Sequence, residues 1–281
     1  MTIFHHARKL VSFRGRPSIK EYSLGLSRWT GPEMSIAVLS DLHVAAPWVS
    51  LEEIERISRI VTDAQPDLIV LAGDFLAGYP IPGRRANAVE IVSALSQLDA
   101  PQGVYAILGN HDWQDCELSH ETNRQRNSVI EAFESSAISL LRNAHVQQEY
   151  RGQRYSIVGF DSQIPTPNDW TTGLHRPDQA YEGTPDDTPA ILLAHEPDYF
   201  DGNDPRADLQ ISGHTHGGQM NLFGWRPLTP SQFGSKFAYG HHMSGNRHLI
   251  VSGGIGFSGL PMRIGQPSEI TMINVGPEAT S

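Results

Sequence analysis

"ISGHTHGGQM", residues 211–220, starts as a short apolar run and then sets His214 and His216 two residues apart among glycines. Imidazole is the commonest metal-binding side chain, and glycine lets a backbone approach a ligand closely. In an extended turn both rings would face one metal cluster. Gly213, Gly217 and Gly218 would leave room for a sharp bend beneath it. In isolation, two loop histidines carry little weight, so their meaning depends on what the neighbouring segments deliver.

Those segments repeat the same design. Short apolar runs occur at "SIAVLS" (35–40), "DLIVLAG" (67–73), "GVYAILG" (103–109), "YSIVGF" (155–160), "AILLAH" (190–195), "DLQISG" (208–213) and "HLIVSGG" (248–254). Continuous rather than alternating apolar character predicts strands covered on both faces. Between the first two lies "SLEEIERISRIVTDA", where Leu51, Ile54, Ile57 and Val61 recur at helical spacing and Ser50 and Glu53 form a capping box. "NAVEIVSALSQL" and "NSVIEAFESSA" predict two more helices. Residues 161–189, rich in Pro, Asp, Thr and Gly, predict a long surface loop. The class is α/β, with helices flanking a layered sheet.

Five of the runs end in polar groups. "SIAVLS" leads to Asp41 and His43, "DLIVLA" to Asp74, and "VYAIL" to Asn110, His111 and Asp112. "AILLA" leads to His195, and "DLQIS" to His214 and His216. Open α/β sheets bind ligands beyond the carboxyl ends of their strands. Carboxylates, an amide and imidazoles with no thiolate suit Mn, Fe or Zn rather than a soft metal.

Bulk properties narrow the classes. The 281-residue chain has one cysteine, Cys116, so it has neither an internal disulfide nor a Cys-based zinc site. A reducing cytoplasm is the expected compartment. Net charge is −10, but residues 1–30 carry +5, leaving −15 for the rest. That balance argues against broad nucleic-acid binding. The domain reading is a basic N-terminal arm and edge segment over 1–30, then one domain over 31–281. The arm lacks an apolar stretch long enough for a signal core or a transmembrane span; weak peripheral membrane contact is its alternative role.

The ordered blocks D-x-H, G-D, G-N-H-D, H and G-H-x-H resemble those of the calcineurin-like metallophosphoesterases, over roughly residues 35–275. "DLQISGHTHGGQM", "LLRNAHV" and "VSGGIGFSGLPMRIGQPSEITMINV" are similar to the bacterial YkuE/YaeI-like branch. The resemblance implies a four-layer αββα fold, a two-sheet β-sandwich flanked by helices. It implies two divalent or transition metal ions. Asp41, His43 and His216 would hold one, Asn110, His195 and His214 the other, and Asp74 would bridge them. It implies a hydrolase that cleaves a phosphomonoester or phosphodiester of a small or lipid-like substrate by attack of a metal-bridging hydroxide. His111 would stabilise the transition state or protonate the leaving group, and Asp112 would orient a loop or ligand. Arg263 is weighed as a phosphate contact against an ordinary surface arginine. Trp48, Phe75 and Trp113 are weighed as pocket walls against core packing.

One departure matters. Where the phosphoprotein phosphatases carry G-D-x-x-D-R-G, this chain reads "GDFLAGY", with Ala77 in place of the second acid. That argues against a Ser/Thr protein phosphatase and leaves His111 without an identified partner. Many members of the branch carry an N-terminal membrane or export segment; none is expected here. The alternatives are a metal-dependent nuclease, which would need a basic groove, and a non-catalytic scaffold, which would typically have lost metal ligands.

Overall fold

The computed structural model describes residues 11–12, 17–78, 81–202 and 204–278. Residues 1–10 and 13–16 of the basic arm, including His5 and His6, lie outside the described residues.

Two six-stranded mixed sheets face each other. The first runs in the order β2 (Ser18–Leu26), β16 (Glu269–Pro277), β3 (Met34–Leu39), β5 (Leu68–Leu71), β7 (Val104–Ala106), β8 (Ser139–Leu140). The second runs β13 (Gly240–Ser244), β14 (Arg247–Val251), β12 (Leu209–Ser212), β11 (Ala190–Leu193), β10 (Gln153–Gly159), β9 (Ala144–Tyr150). Neighbours from β3 to β8 pair in parallel, as do those from β10 through β11 and β12 to β14. Two-stranded ribbons add β1 (Val11–Ser12) against β15 (Arg263–Ile264), and β4 (Ala45–Ala46) against β6 (Arg84–Arg85).

The continuous apolar runs have their reason in the layering. In β3, Ile36 and Val38 face the second sheet and meet Ile157, Ile191, Leu193 and Ile211, while Ala37 and Leu39 face helices. Those helices are α1 (Leu51–Asp63), α2 (Ala88–Leu95) and, after the short turns α3 (His111–Gln114) and α4 (Glu117–Glu121), α5 (Ser128–Glu134). Ile54, Ile57 and Val61 of α1 bury the predicted stripe. On the far side of the second sheet, Val158 and Leu192 pack against α6 (Pro177–Tyr181) through Ala180 and Tyr181. The order of layers is therefore helix, sheet, sheet, helix.

Three local expectations change. The capping box at Ser50 is half formed: its side chain accepts from Glu53 N, but the Glu53 carboxylate turns to the Arg56 guanidinium one turn on. The reciprocal box forms instead at Asn87 and Glu90, at the start of α2. Residues 161–189 are not simply a surface loop. Asp161 to Ile164 are buried, with Ser162 Oγ and Gln163 N donating to Glu196, and α6 follows.

Candidate metal centre

Parallel strands of both sheets run toward one rim, and the polar blocks gather there. Asp41, His43, Asp74, Asn110, His195, His214 and His216 are all buried. Asp41, His43, Asp74, His214 and His216 hold φ between +42° and +70°, a left-handed conformation rare outside glycine. Such strain concentrates where side chains must be aimed at a ligand. Gly213 explains one close approach: a Cβ there would stand 2.6 Å from Asp41 Oδ2.

Hydrogen bonds set the ring orientations. His43 Nδ1 faces the carbonyl of Leu76 (2.9 Å) and His195 Nδ1 that of Ala72 (2.6 Å), so each turns Nε2 inward. A carbonyl behind a ring fixes its tautomer and orients it for a metal. His43 Nε2 lies 3.1 Å from His216 Nε2 and 3.5 Å from Asp74 Oδ2. His195 Nε2 lies 3.1 Å from Asp74 Oδ2, without the alignment of a hydrogen bond. His214 Nδ1 meets Asn110 Oδ1 at 2.8 Å, and His214 N donates to Asp41 Oδ1 at 2.8 Å. Asp41 Oδ2, His195 Nε2 and His214 Nε2 are buried without hydrogen-bond partners. Such atoms are costly unless something absent from the chain pairs with them.

Burial and neighbouring charges shift the groups of the cluster in opposite directions. Burial pushes His43 and His214 down to about 4 and His216 down as well, keeping these rings neutral as metal ligands must be. Burial raises Asp41 to about 6. Burial opposes charge on Asp74 too, yet His195 and His111 beside it hold it well below the usual carboxylate range. Burial likewise opposes charge on His195, but Asp74 and Asp41 hold it well above the usual imidazole range. Three groupings offer ligand atoms within 4.8 Å of one another: Asp41, His43, His216; Asp74, His195, His214; and His43, Asp74, His111.

Asp112 does not reach this cluster with its own carboxylate. Its oxygens accept from the backbone N–H groups of Asp74, Phe75, Leu76 and Gly109 at 2.8–3.1 Å. It thus ties the loop after β5 to the loop after β7, and Asn127 holds its carbonyl while capping α5. Burial and nearby Asp74 push it up to about 7, whereas four converging N–H donors favour the carboxylate.

His111 sits at the edge of the cluster, half-buried, its ring edge-on to His43 at 4.9 Å. Its missing partner is Asp115: His111 Nδ1 lies 2.6 Å from Asp115 Oδ2. Burial disfavours protonation of His111, but Asp74 and Asp115 outweigh it and raise the ring above its ordinary value. Gly78, just after Ala77, makes the room, since a Cβ there would stand 2.7 Å from His111 Nδ1 and 2.9 Å from Asp115 Oδ2. The sequence reading missed Asp115. Its signal was the i, i+4 spacing within "HDWQD", once that stretch is read as a helical turn.

Other expectations are corrected by the geometry. Arg263 is 1% exposed, so it is not a surface arginine. Its donors are spent on Gly256 O, Gly253 O, His216 O and His216 Nδ1, which leaves nothing for a phosphate. It braces the turn of His216 instead. Phe75 and Trp113 are core residues, and half-buried Trp48 donates to Pro82 O. Trp170, not singled out from sequence, stands edge-on to His214 at 6.4 Å.

The chain is similar to known proteins. Residues 34–218 match the family described as Calcineurin-like phosphoesterase. The uncharacterized metallophosphoesterase YkuE of Bacillus subtilis (strain 168) is 30% identical over 246 residues, covering 85% of this chain and 78% of that one. The phosphodiesterase YaeI of Escherichia coli (strain K12) is 28% identical over 246 residues, covering 85% and 81%. A putative 5'-nucleotidase from Staphylococcus aureus shares the fold at 10% identity and a TM-score of 0.51, over 89% of this chain and 56% of that chain. No helix among the described residues is long and apolar enough to cross a membrane. The chain belongs to the calcineurin-like phosphoesterase family, and its YkuE/YaeI-like character and its class as a metal-dependent phosphoesterase stand with that membership.

Proposed function

We propose that the rim is a binuclear centre that hydrolyses phosphoesters of small or lipid-like substrates. The observation that carries this reading is the set of seven buried donors, three of whose atoms have no hydrogen-bond partner among the described residues. Asp41, His43 and His216 would hold one ion; Asn110, His195 and His214 would hold the other; Asp74 would be shared. Mixed oxygen and nitrogen donors suit Mn, Fe or Zn. When bound, such a pair supplies Lewis-acid charge for the phosphoryl oxygens and an activated water.

The chain's own residues do the rest. Asp112 fixes the loop that presents Asp74, and Arg263 fixes the turn that presents His216. Asp115 at Nδ1 holds the proton-bearing form of His111, whose Nε2 would donate a proton to the leaving oxygen. His111 is suited to that task because it retains exposure while the seven donors do not. Trp170 would wall the site beside His214. The compartment we propose is the cytoplasm, on the single buried thiol Cys116.

A screen of Mn²⁺-reconstituted protein against chromogenic monoesters, chromogenic diesters and duplex DNA tests the reading. Turnover of a small ester, abolished by chelator and lost in Asp74→Asn, is expected. Cleavage of DNA alone would make the protein a nuclease, and no turnover of any ester would contradict the hydrolase reading.

A further inference from the structure

The turn that carries His216 continues into a segment with no part in this chemistry. Leu222 and Trp225 close a two-residue hairpin, exchanging backbone N–H to O=C bonds of 2.9 and 3.1 Å. Phe223 at its tip is fully exposed and sits at φ +56°, unfavourable for a bulky side chain. Trp225 and Leu228 are 65% and 61% exposed. Leu260, 55% exposed, lies on a loop tied to the same base, because Gln219 donates to Leu260 O and Ser258 O and accepts from Ser258 N. Single exposed leucines are ordinary, but large apolar side chains gathered on a projecting tip mark an interaction site.

The tip is held firmly to the metal centre. Asn221 N donates to Ile264 O (2.7 Å), Asn221 Oδ1 accepts from Gly224 N (2.7 Å), and Arg226 Nε donates to Gly217 O (2.9 Å) next to His216. Charge gives the second observation. In a chain of net −10, no aspartate or glutamate occurs between Asp208 and Glu269; Arg247 and Arg263 in that stretch are buried and Lys236 pairs with Asp201, which leaves half-buried Arg226 as the cation at the base of the hairpin. An aromatic wedge with an arginine at its base and no acid in its own hairpin complements an anionic lipid interface. A narrow tip offers little of the area that a stable protein interface needs, whereas a bilayer accepts a wedge without matching its shape.

We propose that the Leu222–Trp225 hairpin, with Leu228 and Leu260, docks the protein on an anionic phospholipid surface and sets the metal rim over its headgroups. Headgroup phosphoesters are then the substrate class, a consequence that rests on the hydrolase reading above.

The test uses the full chain and a Phe223→Ser/Trp225→Ser double variant. Both are sedimented with vesicles of phosphatidylcholine alone and of phosphatidylcholine mixed with phosphatidylglycerol. Hydrolysis of bis(p-nitrophenyl) phosphate is measured without vesicles. Wild type is expected on the anionic vesicles, with about tenfold weaker partition for the variant and unchanged diester turnover. Brominated lipid should quench wild-type fluorescence and lose that effect in Trp225→Phe. Should the double variant melt early, Phe223→Ser alone replaces it. Absence of wild-type binding overturns the proposal. Equal binding by the variant also overturns it, and assigns binding to the basic residues of 1–30. Self-association of wild type that the variant lacks, with neither on vesicles, gives the surface to a second copy and overturns it too. Vesicle binding without any ester turnover would sink the hydrolase reading and leave the docking intact.

Discussion

The interior between the sheets and the rim at their strand ends lie a few residues apart in sequence and obey opposite rules. Between the sheets, Ile36, Val38, Ile157, Ile191, Leu193 and Ile211 are apolar and fully buried on regular strands. At the rim, Asp41, His43, Asp74, His214 and His216 are equally buried, yet polar, with positive φ. Burial in the first region is its own stabilisation, at about 25 cal/mol per Å². Burial in the second is a cost that pairs such as His195 with Asp74 offset in part and that a bound cation would offset further. The regular strands hold the rim residues where they would not settle on their own.

Changes at the rim should break activity, in decreasing order of effect. Asp74→Asn removes the carboxylate shared by the proposed ions, and turnover should fall to background in a chromogenic ester assay. His111→Ala should lower kcat by roughly 10²–10⁴-fold while metal content stays near wild type, because the ring acts on the leaving group. Loss of metal would reassign His111 as a ligand. Asp115→Asn should cost less, about tenfold to a hundredfold, and should reshape the pH profile. Asp115 raises His111, so protonated His111 persists to higher pH in wild type. Without it, the alkaline fall in kcat should begin at lower pH. An unmoved alkaline limb would contradict the pairing.

The interior should respond in the other sense. Ile157→Ala opens a cavity and should destabilise the fold by about 2–5 kcal/mol in denaturant melts, with kcat per folded molecule almost unchanged. A large loss of kcat there would mean that rim and interior are not separable.

The same contrast explains what was legible in the sequence. The strands could be read because both faces of each are covered, which writes continuous apolar runs such as "SIAVLS". The rim could be read because each polar block directly follows such a run. Arg263 could not, since its acceptors at Gly253, Gly256 and His216 come together only through tertiary structure. Glu53 had two possible partners, and Arg56 took the carboxylate that a capping box would have used. Asp115 was hidden because its helix is a single turn, too short to show periodicity.

His214 and His216, separated only by Thr215, are proposed to serve different ions. Metal analysis of Mn²⁺-reconstituted wild type, His214→Ala and His216→Ala, with anomalous scattering to locate the remaining ion, tests it directly. The account predicts two ions in wild type and one in each variant: beside Asp41 and His43 in His214→Ala, and beside Asn110 and His195 in His216→Ala. One ion in wild type, or loss of the same ion from both variants, would contradict it.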